Sequence, residues 1–183
     1  MRPWKRLSIE DLITHPVHIV RERVRTHTGK ELEYVYRPGP VEAVFVLPVT
    51  PQGTGLFIRQ YRHPTGRFLV EVPAGKVDPG ETPEAAARRE VLEEVGAAVD
   101  TLTPLPPFHP QPSFTAVVFR PFVAFGARQV QPPTLEDGEL IETLELPLVE
   151  AYQRLEAGEI EDAATALTLF YAERHLRAQG LLG

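Results

Sequence analysis

The chain has 183 residues and a mass of 20.4 kDa, the size of one domain at about 100–200 residues each. Without cysteine it has no disulfide, no thiolate nucleophile and no Cys-ligated zinc or iron–sulfur centre, and no apolar run approaches the ~18 residues that span a bilayer. A net charge of −6 with a pI near 5.5 argues against a general nucleic-acid binder, whose surface would be basic.

The basic start Met1-Arg2-Pro3-Trp4-Lys5-Arg6 leads into no apolar stretch, so no secretory signal is expected and the expected location is the cytoplasm. Sixteen arginines stand against three lysines, asparagine is absent and prolines number 19. Arginine forks suit phosphate or carboxylate, although a GC-rich genome gives the same bias. Pro-rich loops with few thermolabile residues fit a heat-adapted source.

The first 40 residues read as a β extension. Residues 17–24 mix apolar and charged positions, Thr28-Gly29 signals a turn, and residues 32–36 form the return arm of a hairpin. Arg37-Pro38-Gly39-Pro40 closes it, leaving residues 41–183 as the main domain. There, residues 41–47 predict a buried strand ending at Pro48. Residues 56–61 and 68–72 predict two more. Residues 82–95 predict a helix, with Thr82 as N-cap, Pro83 at the first helical position and Gly96 past the end. Strands over 114–125 and 139–146 and helices over 147–157 and 162–178, parted by Gly158, complete the chain. Strands first and helices interleaved late predict an α/β (α+β) fold on a mixed β-sheet.

The helix over 82–95 carries the chemistry. At about 100° per residue, with Glu90 set at 0°, Glu94 falls near ~40° and Glu93 near about −60°, while Val91, Leu92 and Val95 lie opposite. Like charges at i,i+3 and i,i+4 repel on a bare helix. Two readings follow: a solvated acidic face with an Arg89–Glu93 pair, or a seat for a hard divalent cation, which takes oxygen ligands. Ahead of the helix, Gly75 and Gly80 permit a tight loop, and Glu81 and Arg89 can pair across it.

Together these residues resemble the Nudix box: Gly75, five residues, Glu81, seven residues, Arg89-Glu90, aliphatic Val91, Leu92, Glu93-Glu94, Val95, Gly96, with Ala97 in place of the usual larger aliphatic residue. The resemblance implies the Nudix α/β/α sandwich and hydrolysis of a nucleoside diphosphate linked to another group. It further implies Glu90 and Glu94 as principal metal ligands with Glu93 assisting, the backbone carbonyl of Ala74 as a further ligand, and Glu81 and Arg89 as structural supports. Mg²⁺ is the implied cofactor, or Mn²⁺ or another divalent ion.

With 74 residues before Gly75, the chain resembles the ADP-ribose pyrophosphatase branch, whose added N-terminal β segment implies a homodimer that forms the substrate cleft. The branch tends to carry a proline about fifteen residues past the box, and Pro112 stands fifteen after Ala97. Its surroundings read Gln-Pro-Ser where branch members often have Ser-Pro-Gly, a departure bearing on strict ADP-ribose preference. Arg59-Gln60-Tyr61-Arg62 and Glu71-Val72-Pro73-Ala74 also resemble the branch. Arg62 is expected to reach a phosphate or terminal ribose, or to sit in a surface salt bridge. Glu71 is expected near substrate or metal, or paired with an arginine across the sheet. Arg37 and Pro112 complete the expected substrate contacts. Residues 158–165 resemble the start of the family's terminal helix.

For the general base, branch relatives use a loop after the strand that follows the box, here residues 134–139. Glu139 is the expected base, with Glu136 next and Glu93 a third choice. His63 and His109 are candidate substrate contacts, as are Trp4, Tyr34 and Tyr36 for stacking on adenine. The implied activity is hydrolysis of ADP-ribose to AMP and ribose 5-phosphate. Alternatives are FAD, NADH or ADP-sugar cleavage, a nucleoside-triphosphate pyrophosphatase, and a non-catalytic nucleotide sensor. No nucleic-acid or membrane partner is expected.

Overall fold

The computed structural model describes residues 4–39 and 41–183. Residues 1–3 of the basic start, and Pro40 in the break after the hairpin, lie outside them. The chain divides into two units, Met1–Val41 with His109–Val118, and Glu42–Phe108 with Phe119–Gly183.

The first unit holds a three-stranded antiparallel sheet of β1 (Trp4–Ile13), β2 (Ile19–Thr26) and β3 (Glu31–Tyr36), in that spatial order. The expected hairpin is β2–β3, turning at Gly29 with φ of 86°. Strand β1 was not foreseen. Almost every residue of it is exposed, so no buried face imposes an alternating pattern, and its extended state comes from the ladder to β2. In β2, Val20, Glu22 and Val24 are buried in alternation. The Glu22 carboxylate accepts from Tyr36 at 2.8 Å and meets Arg6 at 2.5 Å.

The second unit is built on a mixed seven-stranded sheet: β4 (Glu42–Val49), β5 (Thr54–Arg62), β6 (Arg67–Glu71), β7 (Ala74–Lys76), then after α1 (Pro83–Val95) and the two-residue β8 (Ala97–Ala98), β9 (Thr101–Pro104), β10 (Val118–Phe125) and, past β11 (Arg128–Gln129), β12 (Ile141–Pro147). Helices α2 (Leu148–Glu156) and α3 (Ala163–Ala178) end it. The spatial order is β12-β5-β4-β10-β9, with β6 paired to β5 and β7 to β4, while β8 and β11 form a separate ribbon. Strands β4 and β10 run in the same direction, since Val118 N–H donates to the carbonyl of Val41 and Ala127 N–H to that of Val49.

Two-residue periodicity sorts the sheet's side chains into two cores. Val44, Val46, Leu56, Ile58, Phe122 and Ala124 pack with Ala86, Ala87, Val91 and Val95 of α1. Their neighbours Phe45, Leu47, Val49, Phe57 and Val123 pack with Leu148 and Ala151 of α2 and Leu169, Ala172 and Leu176 of α3. This is an α/β/α sandwich.

Helix α1 forms as predicted. Thr82 caps it by accepting the Ala85 N–H at 3.2 Å, Pro83 opens it, and Gly96 closes it in the left-handed region at φ 66°. Strands β4, β7 and β10 also differ from expectation. Pro48 lies within β4, whose pairing with β5 is confined to Val49–Gly55, so a residue without an N–H is tolerated there. The strand expected from residue 114 begins at Val118, because the N–H groups of Phe114 and Thr115 turn back onto Gln111. Residues expected as a continuous loop include β7, which Ala43, Val44 and Phe45 of β4 hold in register.

Candidate active site

The acidic arc of α1 is not a solvated face. Glu90 is 8% and Glu94 2% exposed, while Glu93 is partly exposed. Helix and sheet meet at β7, where a Cβ on Gly75 would run into the Glu90 carboxyl group; only glycine leaves room for that carboxylate. One residue earlier, Ala74 donates its N–H to Glu94 at 2.8 Å, so the backbone of β7 fixes both side chains. Ala74, expected through its carbonyl, also contributes through its N–H.

Burial pushes the Glu94 carboxyl up to about 8, with the negative charges of Glu90 and Glu139 adding to the shift and the Ala74 N–H opposing it. Burial likewise raises Glu90, against the pull of Arg89. Two desolvated carboxylates side by side are costly unless positive charge compensates them. Arg89 supplies part of it, donating to Glu90 at 2.7 Å and Glu93 at 2.9 Å, and to Glu81 at 3.1 and 3.0 Å. Its remaining bond, 2.9 Å to the Lys76 carbonyl, ties the glycine loop to the helix. The expected Glu81–Arg89 and Arg89–Glu93 pairs are therefore arms of one hub. Among the described residues no three carboxylate or imidazole groups converge as a finished cation cage. The donor set is nonetheless all oxygen, twice buried, and cradled by a glycine that a side chain would fill, which fits a hard divalent cation.

The carboxylates open onto a cleft of 630 Å³, whose other wall is the loop carrying Leu135, Glu136 and Glu139. Thr134 N–H donates to the Glu93 carbonyl at 2.7 Å, anchoring this loop to α1. Glu139 is half-buried and close enough to raise both Glu90 and Glu94. Glu136 is exposed and donates its backbone N–H to Glu139 at 2.9 Å.

A second cavity of 450 Å³ shares Ala74, Gly75 and Lys76 with the first and is lined by Arg62, Glu71 and Asp162. Arg62 grips Glu71 bidentately, at 2.8 and 2.5 Å, the expected pairing with an arginine across the sheet. The Glu71 side chain is 3% exposed and that of Arg62 41%. Arg62→Ala is expected to cost about 2–3 kcal/mol in thermal or urea unfolding, because it leaves Glu71 buried and unpaired; the open side of Arg62 keeps the figure below that of a wholly buried pair. A Tm equal to the parent's would contradict it.

Gly75→Ala is expected to leave the fold intact, since the obstructing atom is the end of a flexible side chain. It should displace the Glu90 carboxylate and lower kcat roughly 10–100-fold, the scale of an ångström-sized misplacement. Circular dichroism and turnover measured together check both halves.

His63 is exposed, edge-on to Tyr61. Arg37, His109 and Pro112 belong to the first unit. Arg37 donates its N–H to Phe114 at 2.9 Å, and His109 Nδ1 lies 3.0 Å from the Val117 carbonyl. Pro112 lines a 290 Å³ cleft with Trp4, Tyr34 and Tyr36, whose rings stack edge to face. Lys76 and the Phe45–Phe119 pair, at 4.4 Å between ring centres, were not foreseen as cavity walls. The two rings read in sequence as ordinary strand core; for Lys76 the available signal was its place directly after Gly75.

The NUDIX domain model matches residues 39–167. An ADP-ribose pyrophosphatase of Bacillus subtilis is 36% identical over 155 residues, 83% of this chain and 82% of that protein. An ADP-sugar pyrophosphatase of Mus musculus is 32% identical, covering 81% and 72%, and a GDP-mannose pyrophosphatase of Yersinia enterocolitica 33%, covering 73% of each. A solved structure described as an ADP compounds hydrolase superposes with a TM-score of 0.87 at 25% identity, over 100% of this chain and 98% of that one.

Proposed function

Since this chain belongs to the Nudix family, we propose that it is a pyrophosphatase that uses water to hydrolyse ADP-ribose to AMP and ribose 5-phosphate. The observation that carries the reading is the buried Glu90–Glu94 pair, opening onto a cleft contiguous with the Arg62–Glu71 cavity. ADP-ribose pyrophosphatase is the name borne by the relative in Bacillus subtilis. Relatives named for ADP-sugars and GDP-mannose support a second reading, in which another nucleoside diphosphate sugar is the preferred substrate.

Glu90 and Glu94, with Glu93 at the mouth, would hold a divalent ion, for which Mg²⁺ is proposed. Such an ion screens the diphosphate's charge and lowers the pKa of bound water. Glu139 takes the proton of the attacking water, and the partly exposed Arg62 steadies a phosphate or the terminal ribose beside Glu71. Arg89 keeps the carboxylates from repelling one another before substrate arrives. Release of AMP from ADP-ribose, ADP-glucose, FAD and NADH, of GMP from GDP-mannose and of dAMP from dATP, with Mg²⁺ and with EDTA, tests this. Turnover confined to dATP, or none at all, would refute it.

A homodimer is proposed through the first unit, where Ile9, Leu12, Ile13, Val17 and Val35 are exposed and offer apolar side chains to a second copy. Sedimentation at micromolar concentration is expected to give twice the 20.4 kDa chain mass; a monomer would remove the proposal. The cysteine-free composition suits a reducing compartment, and the cytoplasm is the proposed setting. Among the described residues no helix is long and apolar enough to cross a membrane.

A further inference from the structure

Residues 71–74 form a strip in which every residue is committed to a different part of the molecule. Glu71 grips Arg62, the Pro73 carbonyl accepts Val46 N–H of central β4 at 2.9 Å, and Ala74 N–H holds Glu94. The fourth commitment is made by Val72, whose N–H donates to the hydroxyl of Thr165 at 3.0 Å, across 93 residues of sequence. Thr165 is 0% exposed. It sits in the first turn of α3, its own N–H capped by Asp162 at 2.7 Å, and Asp162 lines the Arg62 cavity.

We infer that Thr165 is a positioning residue: by fixing Val72 it holds Glu71–Arg62 on one side and Ala74–Glu94 on the other in a single register. It touches neither cavity. Its hydroxyl holds the segment between Glu71, which pairs with Arg62, and Ala74, which pairs with Glu94 three residues on, so a shift of Val72 moves both contacts together. Buried N–H groups are almost always paired, and without the hydroxyl that of Val72 must find another acceptor by moving. Groups that orient ligand-bearing segments without touching the ligand typically govern metal affinity and turnover by roughly 10–100-fold.

The inference rests on the proposed hydrolase reading, and its test separates the two. Thr165→Val keeps the shape and removes the hydroxyl, while Thr165→Ser keeps the hydroxyl and removes a methyl. Each is compared with the parent for kcat and KM on ADP-ribose, and for Mn²⁺ binding by calorimetry without substrate. Thr165→Val is expected to raise KM and weaken Mn²⁺ binding together, each about tenfold, with Thr165→Ser restoring both to within about twofold of the parent. Where Thr165→Val does not fold, Thr165→Ala against Thr165→Ser at lower temperature carries the same comparison. A lower Tm with unchanged KM and Mn²⁺ affinity, or equal losses in the serine variant, would overturn it. A parent that binds Mn²⁺ but turns over no nucleotide diphosphate would sink the hydrolase reading alone, and the Mn²⁺ titrations would still decide the role of Thr165.

Discussion

Glu94→Gln is expected to lower kcat by roughly 10³-fold, the upper end of what one lost charge-stabilising group costs, and to leave the fold in place or strengthen it. The gain in stability follows from burial. In the folded chain the Glu94 carboxyl titrates near 8, against 4.5 as its ordinary value, so between those values the folded state binds more protons than the unfolded one. Metal-free stability therefore falls as pH rises through that interval. Glutamine keeps an oxygen for the Ala74 N–H and carries no charge to desolvate. In EDTA at pH 8 the variant should unfold at a higher temperature than the parent, and at pH 4.5 the difference should vanish. Glu90→Gln should also depress kcat strongly, with a smaller change in stability because Arg89 already compensates that carboxylate. Wild-type turnover in either variant would dispose of the ligand assignment.

For Glu139→Gln the expected loss in kcat is roughly 10²–10³-fold, the range for removing a general base, with little change in KM. Glu139 faces the carboxylate cluster closely enough to raise both Glu90 and Glu94, whereas Glu136 is exposed and turns its N–H toward Glu139. Glu136→Gln should accordingly cost less than tenfold. The assignment moves to Glu136 if the order of the two losses is reversed, and to Glu93 if neither is impaired. The pH–rate profile separates a base from a charged bystander, since losing the base removes the acid limb.

Much of this molecule was readable along the chain because its causes are local. Thr82, Pro83 and Gly96 delimit α1 through capping and backbone freedom that each residue carries by itself. A 3.6-residue period sets Glu90, Glu93 and Glu94 on one arc without reference to anything outside the helix. The two cores of the sandwich follow from alternation in β4 and β5.

Tertiary structure alone settled what that arc meets. Whether three glutamates are solvated or buried depends on β7, a three-residue strand whose only cause is its ladder to β4. Glu71 could pair or contact a ligand until β5 and β6 set Arg62 against it. The tie from Thr165 to Val72 joins segments 93 residues apart. Strand β1, exposed along nearly its whole length, exists because β2 offers it partners. Short-range rules specify the helix and its charges, but desolvation and long-range pairing belong to the folded chain, and they turn an acidic helix into a candidate catalytic centre.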